Sequence, residues 1–265
     1  MLANILLALS LALVIWIVVS YMRSRKPLVP VEAPPEPDTL AQLLQKHVAF
    51  YRRLDEPQQE VFLKRVEDFL ANIRITGVRD VEVTELDRVL VAASAVIPIA
   101  AFPDWRYRNI SEVLLYPDTF TKDYSLEDAD RNVLGMVGEG ALNGQMILSQ
   151  QALRGGFARS DAQNTAIHEF VHLIDKADGA TDGIPEYLVD NSHMDPWLKV
   201  MHREIAKIRR GDSDLNPYAA TNEAEFLAVT AEYFFEKPAQ LREHHPQLYE
   251  LLHAMFGDAS ETGEI

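Results

Sequence analysis

Residues 164–179 read NTAIHEFVHLIDKADG. His168 and His172 are four residues apart, so on a helix both imidazoles stand on one face, about one turn from each other. That spacing lets both rings reach one Zn2+ at ~2.0–2.1 Å. Glu169, directly after the first histidine, projects beside the metal, where it can take a proton from a bound water. On a 100° wheel Ile167, Phe170, Val171 and Ile174 share one face. His168, His172 and Asp175, with Asp161 and Thr165, share the opposite one. An apolar back seats such a helix on a core while its polar front faces a cleft. Ser160 with Gln163 offers a capping box at its start, and Asp178-Gly179 a stop. The bland alternative is a surface helix with two solvated histidines, and the two-faced wheel argues against it.

A catalytic zinc needs a third protein ligand and an open fourth position. The chain contains no cysteine, which excludes disulfides, iron–sulfur clusters, thiolate-bound zinc and a thiol nucleophile. The third ligand is therefore His, Asp or Glu. Downstream stand Glu186, His193, His202, Glu204, Glu223, Glu225 and Glu232. Glu186 follows Pro185 in a glycine-rich loop and is a plausible ligand. His202 and Glu204 lie on an amphipathic helix of their own. The stretch 216–238, NPYAATNEAEFLAVTAEYFFEKP, reads as a helix from near Asn222 to Pro238. Glu225 falls in its first turn, with the small Ala228 and Val229 near it on the same face. The capping box Asn222-x-x-Glu225 is the plain reading of Glu225, and a loop anchor that of Tyr218. Residues alone leave Glu225 and Glu186 both open. Asp175, two turns beyond His168, and Glu232, two turns beyond Glu225, are either acceptors that orient an imidazole or unrelated polar groups.

The rest of the chain sets the frame. It has 265 residues, 48% hydrophobic and 25% charged, enough for one cored domain or at most two small ones. The net charge of −15 argues against nucleic acid as a partner. Residues 1–26 depart from it, with Arg23, Arg25 and Lys26 and no acid. Within them LANILLALSLALVIWIVVSYM, 2–22, carries no charge, and its roughly 31 Å of helix matches a ~30 Å hydrocarbon core. Trp16 and Tyr21 suit the interface. No basic residues precede the span, and Ser20-Tyr21-Met22 is no small-x-small site, so an uncleaved anchor is expected rather than a signal peptide. Its basic flank, RSRK, puts the C-terminal bulk in the cytoplasm by the positive-inside rule. The expected organisation is an anchor with its flank over 1–26, a stiff Pro-rich linker over 27–38, and one domain over 39–265.

Helical periodicity runs through LAQLLQKHVAFYRRL (40–54) and QQEVFLKRVEDFLANI (58–73), with a break at Glu56-Pro57. Thr84 with Asp87 opens ELDRVLVAASAVIPIAAF, a buried helix that Pro98 is expected to kink. Ile110–Tyr116 and Met146–Ser149 read as short strands, with Asn143-Gly144 a turn before the second. Asp195-Pro196 reads as a cap and first helical residue, opening a helix that stops at Gly211. LREHHPQLYELLHAMF is a last helical run with an internal proline, before a frayed tail. The fold class is α+β, mainly helical with a few short strands.

HEFVHLID, the loop ADGATDGIP and NPYAATNEAEFLAVTAEYFF together resemble the Mlc titration factor A family of zinc-dependent peptidases, with FYRRL and LSQQAL as further points of likeness. The resemblance spans roughly Leu40 to Phe256. It implies a zincin-like catalytic core similar to that of anthrax lethal factor, a gluzincin whose third zinc ligand is glutamate. Carried over by position, it implies zinc on His168, His172 and Glu225, Glu169 as general base, and Tyr218 as the hydroxyl that assists the tetrahedral intermediate. The expected function is then a single-pass peptidase of the inner membrane, hydrolysing peptide bonds of a peptide or protein substrate. The family also implies an alternative: a tethered, anti-repressor-like module that binds a regulatory protein and keeps its zinc as a structural or vestigial feature.

Overall fold

Five of the helices begin where a side chain closes an open N–H group. In the computed structural model, which describes residues 31–102, 104–118, 135–137, 144–159, 163–185 and 191–257, α1 spans Pro37–His47, α2 Ala49–Arg53 and α3 Glu56–Asn72. Asp55 caps α3 in a reciprocal box with Gln58. After β1 (Arg74–Gly77), Thr84 and Asp87 form the same box at the start of α4 (Glu85–Val96). The chain divides into two compact units, Met1–Val31 and Glu32–Ile265. Everything described below belongs to the second.

The remaining elements are β2 (Glu112–Tyr116), β3 (Gly135–Val137), β4 (Gln145–Ser149), α5 (Gln150–Ala158), α6 (Thr165–Asp175), α7 (Asn191–Arg210), α8 (Glu223–Glu236), α9 (Pro238–His244) and α10 (Pro246–Phe256). The fold is mainly helical with one small mixed sheet, as the α+β reading requires. The strand order is β1-β2-β4-β3. The first three run parallel, with Arg74 opposite Glu112 and Glu112 opposite Gln145. β3 runs antiparallel to β4, Gly135 facing Leu148, and forms one edge.

α6 is the centre of the domain. It packs on α4, α5, α8 and β3. Its back face is held by Phe170, whose ring lies 5.7 Å from Phe69 and 5.3 Å from Tyr107. Truncating a buried phenylalanine of this kind costs about 3–5 kcal/mol. At the start of α4, Asp87 is fully buried yet satisfied. Arg154 on α5 grips it with bonds of 2.7 and 2.8 Å, and Gln150 adds one of 2.9 Å. This ties the start of α4 to α5, directly after β4, whose last residue Ser149 caps α5.

Several expectations are corrected. Pro98 does not kink α4: the helix ends at Val96 and continues as a 3₁₀ turn over Ile97–Ile99. Pro196 is not the first residue of α7 but lies inside it, and the helix begins at Asn191. The stretch read as one last helical run is two helices, α9 and α10, which meet at His245-Pro246. The stretch read as linker overlaps the domain's structure. α1 starts at Pro37, and Arg88 donates to the carbonyls of Glu32 and Ala33, both at 2.7 Å. Among the described residues no helix is long and apolar enough to cross a membrane. The candidate span at 2–22, Asn143 and the tail from 258 lie outside the described residues.

Candidate metal centre

α6 carries three of the expected residues and α8 the fourth. Asn164, not Ser160, caps α6: its Oδ1 accepts from the Ile167 N–H at 3.3 Å. Ser160 is outside the described residues. The helix ends through a 3₁₀ turn at Lys176–Asp178 and Gly179, whose φ of 103° is glycine territory. The polar front of α6 is not an open face: His168, Glu169 and Asp175 are all buried, because α8 lies against it.

α8 begins at an Asn222 cap, whose side chain accepts from the Glu225 N–H at 2.9 Å. The Glu225 carboxylate turns to the histidines. Its Oε2 lies 2.9 Å from His168 Nε2 and 3.4 Å from His172 Nε2, and the two nitrogens are 3.0 Å apart. The donor atoms of His168, His172 and Glu225 all lie within 4.8 Å of one another, the one such group among the described residues.

The donor chemistry of this cluster calls for a positive charge at its middle. His168 Nδ1 faces Glu232 Oε1 at 2.7 Å, so a neutral ring gives its proton there. Its Nε2 lone pair is then aimed at a carboxylate oxygen and at a second ring nitrogen. Only an extra proton or a cation resolves that conflict. Burial opposes charge on His168, but the bonds from Glu225 and Glu232 outweigh it and push its pKa up to about 10. Burial also raises Glu225, and there the two histidines win and hold the carboxylate well below its ordinary range. Two imidazole nitrogens and one carboxylate oxygen suit a borderline cation such as Zn2+.

Glu169 sits beside this cluster, buried, its pKa raised chiefly by desolvation and countered by the two histidines. Tyr218 lies on a 3₁₀ turn, Pro217–Ala220, started by Asn216, which accepts from the Tyr218 N–H at 3.0 Å. Its ring centre is 6.0 Å from that of His168, and it is 52% exposed. Burial of the hydroxyl and the nearby Glu225 carboxylate push its pKa up to about 12, so it remains a donor.

The other candidates go elsewhere. Asp175 accepts from the Gly183 N–H at 3.1 Å, and the Gly183 carbonyl takes the Trp197 indole N–H at 2.8 Å. Asp175 thus anchors the ADGATDGIP loop, and burial lifts its pKa to about 6. His202 meets Glu223 at 3.8 Å on the surface. Glu204 pairs with Lys207 and Arg203. Glu186 is outside the described residues. One residue was missed from the sequence. Gly135 on β3 lies so close to Glu169 that a Cβ there would be 2.6 Å from Glu169 Cγ and 2.9 Å from Oε1. Nothing near Gly135 in the sequence marks this, since the approach is made by a residue 34 positions away.

The chain is similar to several known proteins. It is 29% identical over 231 residues to an uncharacterized protein of Synechocystis, covering 82% of this chain and 83% of that one. It is 27% identical over 240 residues to Mlc titration factor A of Escherichia fergusonii (84% and 86%), and 25% identical over 210 residues to that of Pectobacterium atrosepticum (74% and 77%). The resemblance read from HEFVHLID and NPYAATNEAEFLAVTAEYFF therefore holds. With a family model matching residues 20–257, the chain belongs to the glucose-regulated metallo-peptidase M90 family.

Proposed function

We propose that the protein is a zinc-dependent peptidase, with His168, His172 and Glu225 holding the metal, Glu169 as general base and Tyr218 as oxyanion donor. The observation that carries this reading is the convergence of two imidazole nitrogens and one carboxylate oxygen beside a separate, buried carboxylate. A divalent cation bound there supplies Lewis acidity towards a water and a peptide carbonyl. The chain's own residues do the rest. A Glu169 carboxylate oxygen takes a proton from the attacking water, and its raised pKa makes it a better base than a solvated glutamate. The same oxygen then gives the proton to the leaving amine. The Tyr218 hydroxyl, kept protonated, donates to the oxygen that gains charge. Gly135 leaves the Glu169 carboxylate room to turn between these tasks.

The proposal extends to location. Residues 2–22, uncharged and followed by RSRK, form a single-pass anchor in the inner membrane, and the peptidase domain that follows faces the cytoplasm. A second reading has support in the name of the relatives, Mlc titration factor A, which speaks of titrating another protein. On that reading the domain is a tethered module for a regulatory partner.

A peptide-hydrolysis assay on the purified protein separates the two. Hydrolysis abolished by a chelator and restored by zinc is expected. Glu169→Gln should keep its zinc and lose ~10²–10⁴-fold in rate. Chelator-insensitive turnover, or a Glu169→Gln variant as fast as wild type, overturns the enzyme. Tight capture of a regulator by zinc-loaded protein without any turnover favours the module.

A further inference from the structure

Glu232 has no part in the reaction outlined above, yet both of its carboxylate oxygens are hydrogen-bonded. It stands seven residues after Glu225 on α8, two turns or roughly 10.5 Å along the axis, and so on the same side of the helix. The two carboxylates hold the His168 ring from opposite edges, Glu225 at Nε2 (2.9 Å) and Glu232 Oε1 at Nδ1 (2.7 Å). The other Glu232 oxygen accepts from the backbone N–H of Asn164, the cap of α6, at 2.5 Å. The residue is buried. Its charge is met by the imidazole on one side and by the N-terminal end of α6 on the other, where the helix dipole favours an anion.

We infer that Glu232 is the positioning residue of the metal centre, one side chain that fixes the tautomer of His168 and the placement of the helix bearing it. The inference rests on the metal reading above. Its logic is a count of donors and acceptors. Two N–H groups, Nδ1–H of His168 and N–H of Asn164, point at Glu232, and a carboxylate has an acceptor for each. A glutamine has one acceptor oxygen and an NH2 group. Whichever way its amide turns, a donor faces a donor. If the oxygen stays on Asn164, the NH2 faces Nδ1 and drives the imidazole proton to Nε2, where it blocks the lone pair that binds metal. Glu236 provides the control. It meets the same helix start through the Asn164 side-chain amide, Nδ2 to Oε1 at 3.1 Å, while both nitrogens of His168 are taken by other groups.

The experiment titrates full-length wild type, Glu232→Gln and Glu236→Gln with Zn2+ against a competing chromophoric chelator, and records the melting temperature of each metal-free protein. Glu232→Gln should bind zinc ~10–100-fold more weakly than wild type, at a metal-free melting temperature matching that of Glu236→Gln, which should keep wild-type affinity. Wild-type zinc affinity in Glu232→Gln, or equal losses in both variants, overturns the positioning role. A wild type that takes up no zinc instead sinks the metal centre itself, so the two failures are distinct. Should Glu232→Gln not fold, long-range 1H–15N correlations on zinc-loaded wild type decide. The His168 proton belongs on Nδ1, and finding Nδ1 without a proton overturns the inference.

Discussion

Two clusters in this domain are built from the same parts, a pair of histidines and acidic side chains, and they are wired in opposite ways. In the first, His168 and His172 point Nε2 atoms at each other, 3.0 Å apart, and share one oxygen of Glu225. In the second, Asp214 gives each ring its own oxygen: Oδ2 to His244 Nδ1 at 2.6 Å and Oδ1 to His245 Nε2 at 2.5 Å. The Tyr233 hydroxyl adds a bond of 3.1 Å, and Glu204 lies 3.5 Å from the far side of His245. Each ring there has its own oxygen, so no two ring nitrogens converge on one point where a cation could sit. Convergence leaves lone pairs in conflict, which an added proton or a cation resolves. The residue types alone do not distinguish a metal centre from a latch. The direction in which their lone pairs point does.

The comparison breaks most visibly on metal content. Glu225→Ala removes one of the converging donors and should weaken zinc binding by more than ~100-fold, beyond what loss of a supporting group costs. Asp214→Asn, at the other cluster, should leave one zinc per chain by elemental analysis. Zinc lost from the Asp214 variant, or kept by the Glu225 variant, would merge the two clusters into one kind. Tyr218→Phe is a finer cut. It removes a donor and no ligand, so kcat should fall ~10²–10³-fold with zinc stoichiometry intact.

Gly135 sharpens the contrast further, because β3 passes directly beside Glu169 at the converging cluster. A methyl at Gly135 would meet Glu169 Cγ at 2.6 Å and displace the carboxylate proposed as the base. Misplacing a reacting group by about 1 Å costs up to ~10²-fold. Gly135→Ala should therefore lower kcat within that range while zinc affinity and melting temperature barely change. An unchanged kcat would mean the Glu169 carboxylate does not need the space.

What could be read from the sequence follows the range of the interactions. The Thr84–Asp87 box, the i,i+4 histidines and the Asn222 cap are all local, and each stands where the residues put it. Tyr218 and Glu225 needed the resemblance, since their partners lie on α6 some fifty residues back and spacing alone allowed a plain cap. β1 and β3, four and three residues long, carry no period to read, and they exist only through pairing with strands elsewhere in the chain. The approach of Gly135 to Glu169 and the two bonds of Glu232 are non-local for the same reason. Asp195-Pro196 misled because proline favours a first turn. Here Trp197, buried and bonded to the Gly183 carbonyl, fixes the neighbouring turn, and the helix extends upstream despite the N–H that Pro196 lacks.

The smallest effect is in stability, and it belongs to the latch. Burial pushes the Asp214 carboxyl up, but its histidine and tyrosine partners outweigh this and bring its pKa to about 2, below the ordinary 3.8. A depressed carboxylate stabilises the fold above its unfolded value, and that contribution is lost as pH falls from about 4 towards 2. His244, raised by its bond to Asp214, works in the other direction. Its contribution is whole below 6.5 and fades as pH rises through the raised value. Between those limits Asp214 and His244 are both charged, so the pair's contribution to the melting temperature should be greatest between about pH 4 and 6.5. The Asp214 side chain is 41% exposed, and solvent screening trims its acid arm to about 1 kcal/mol or less, or ~2–4 °C for a domain of this size. Asp214→Asn should flatten the difference between pH 3 and pH 5.5 by about half of that amount, read by thermal melts of metal-free protein so that metal at the other cluster does not intrude. A profile identical to wild type would show that Asp214 is not what joins the loop before Tyr218 to the α9–α10 corner.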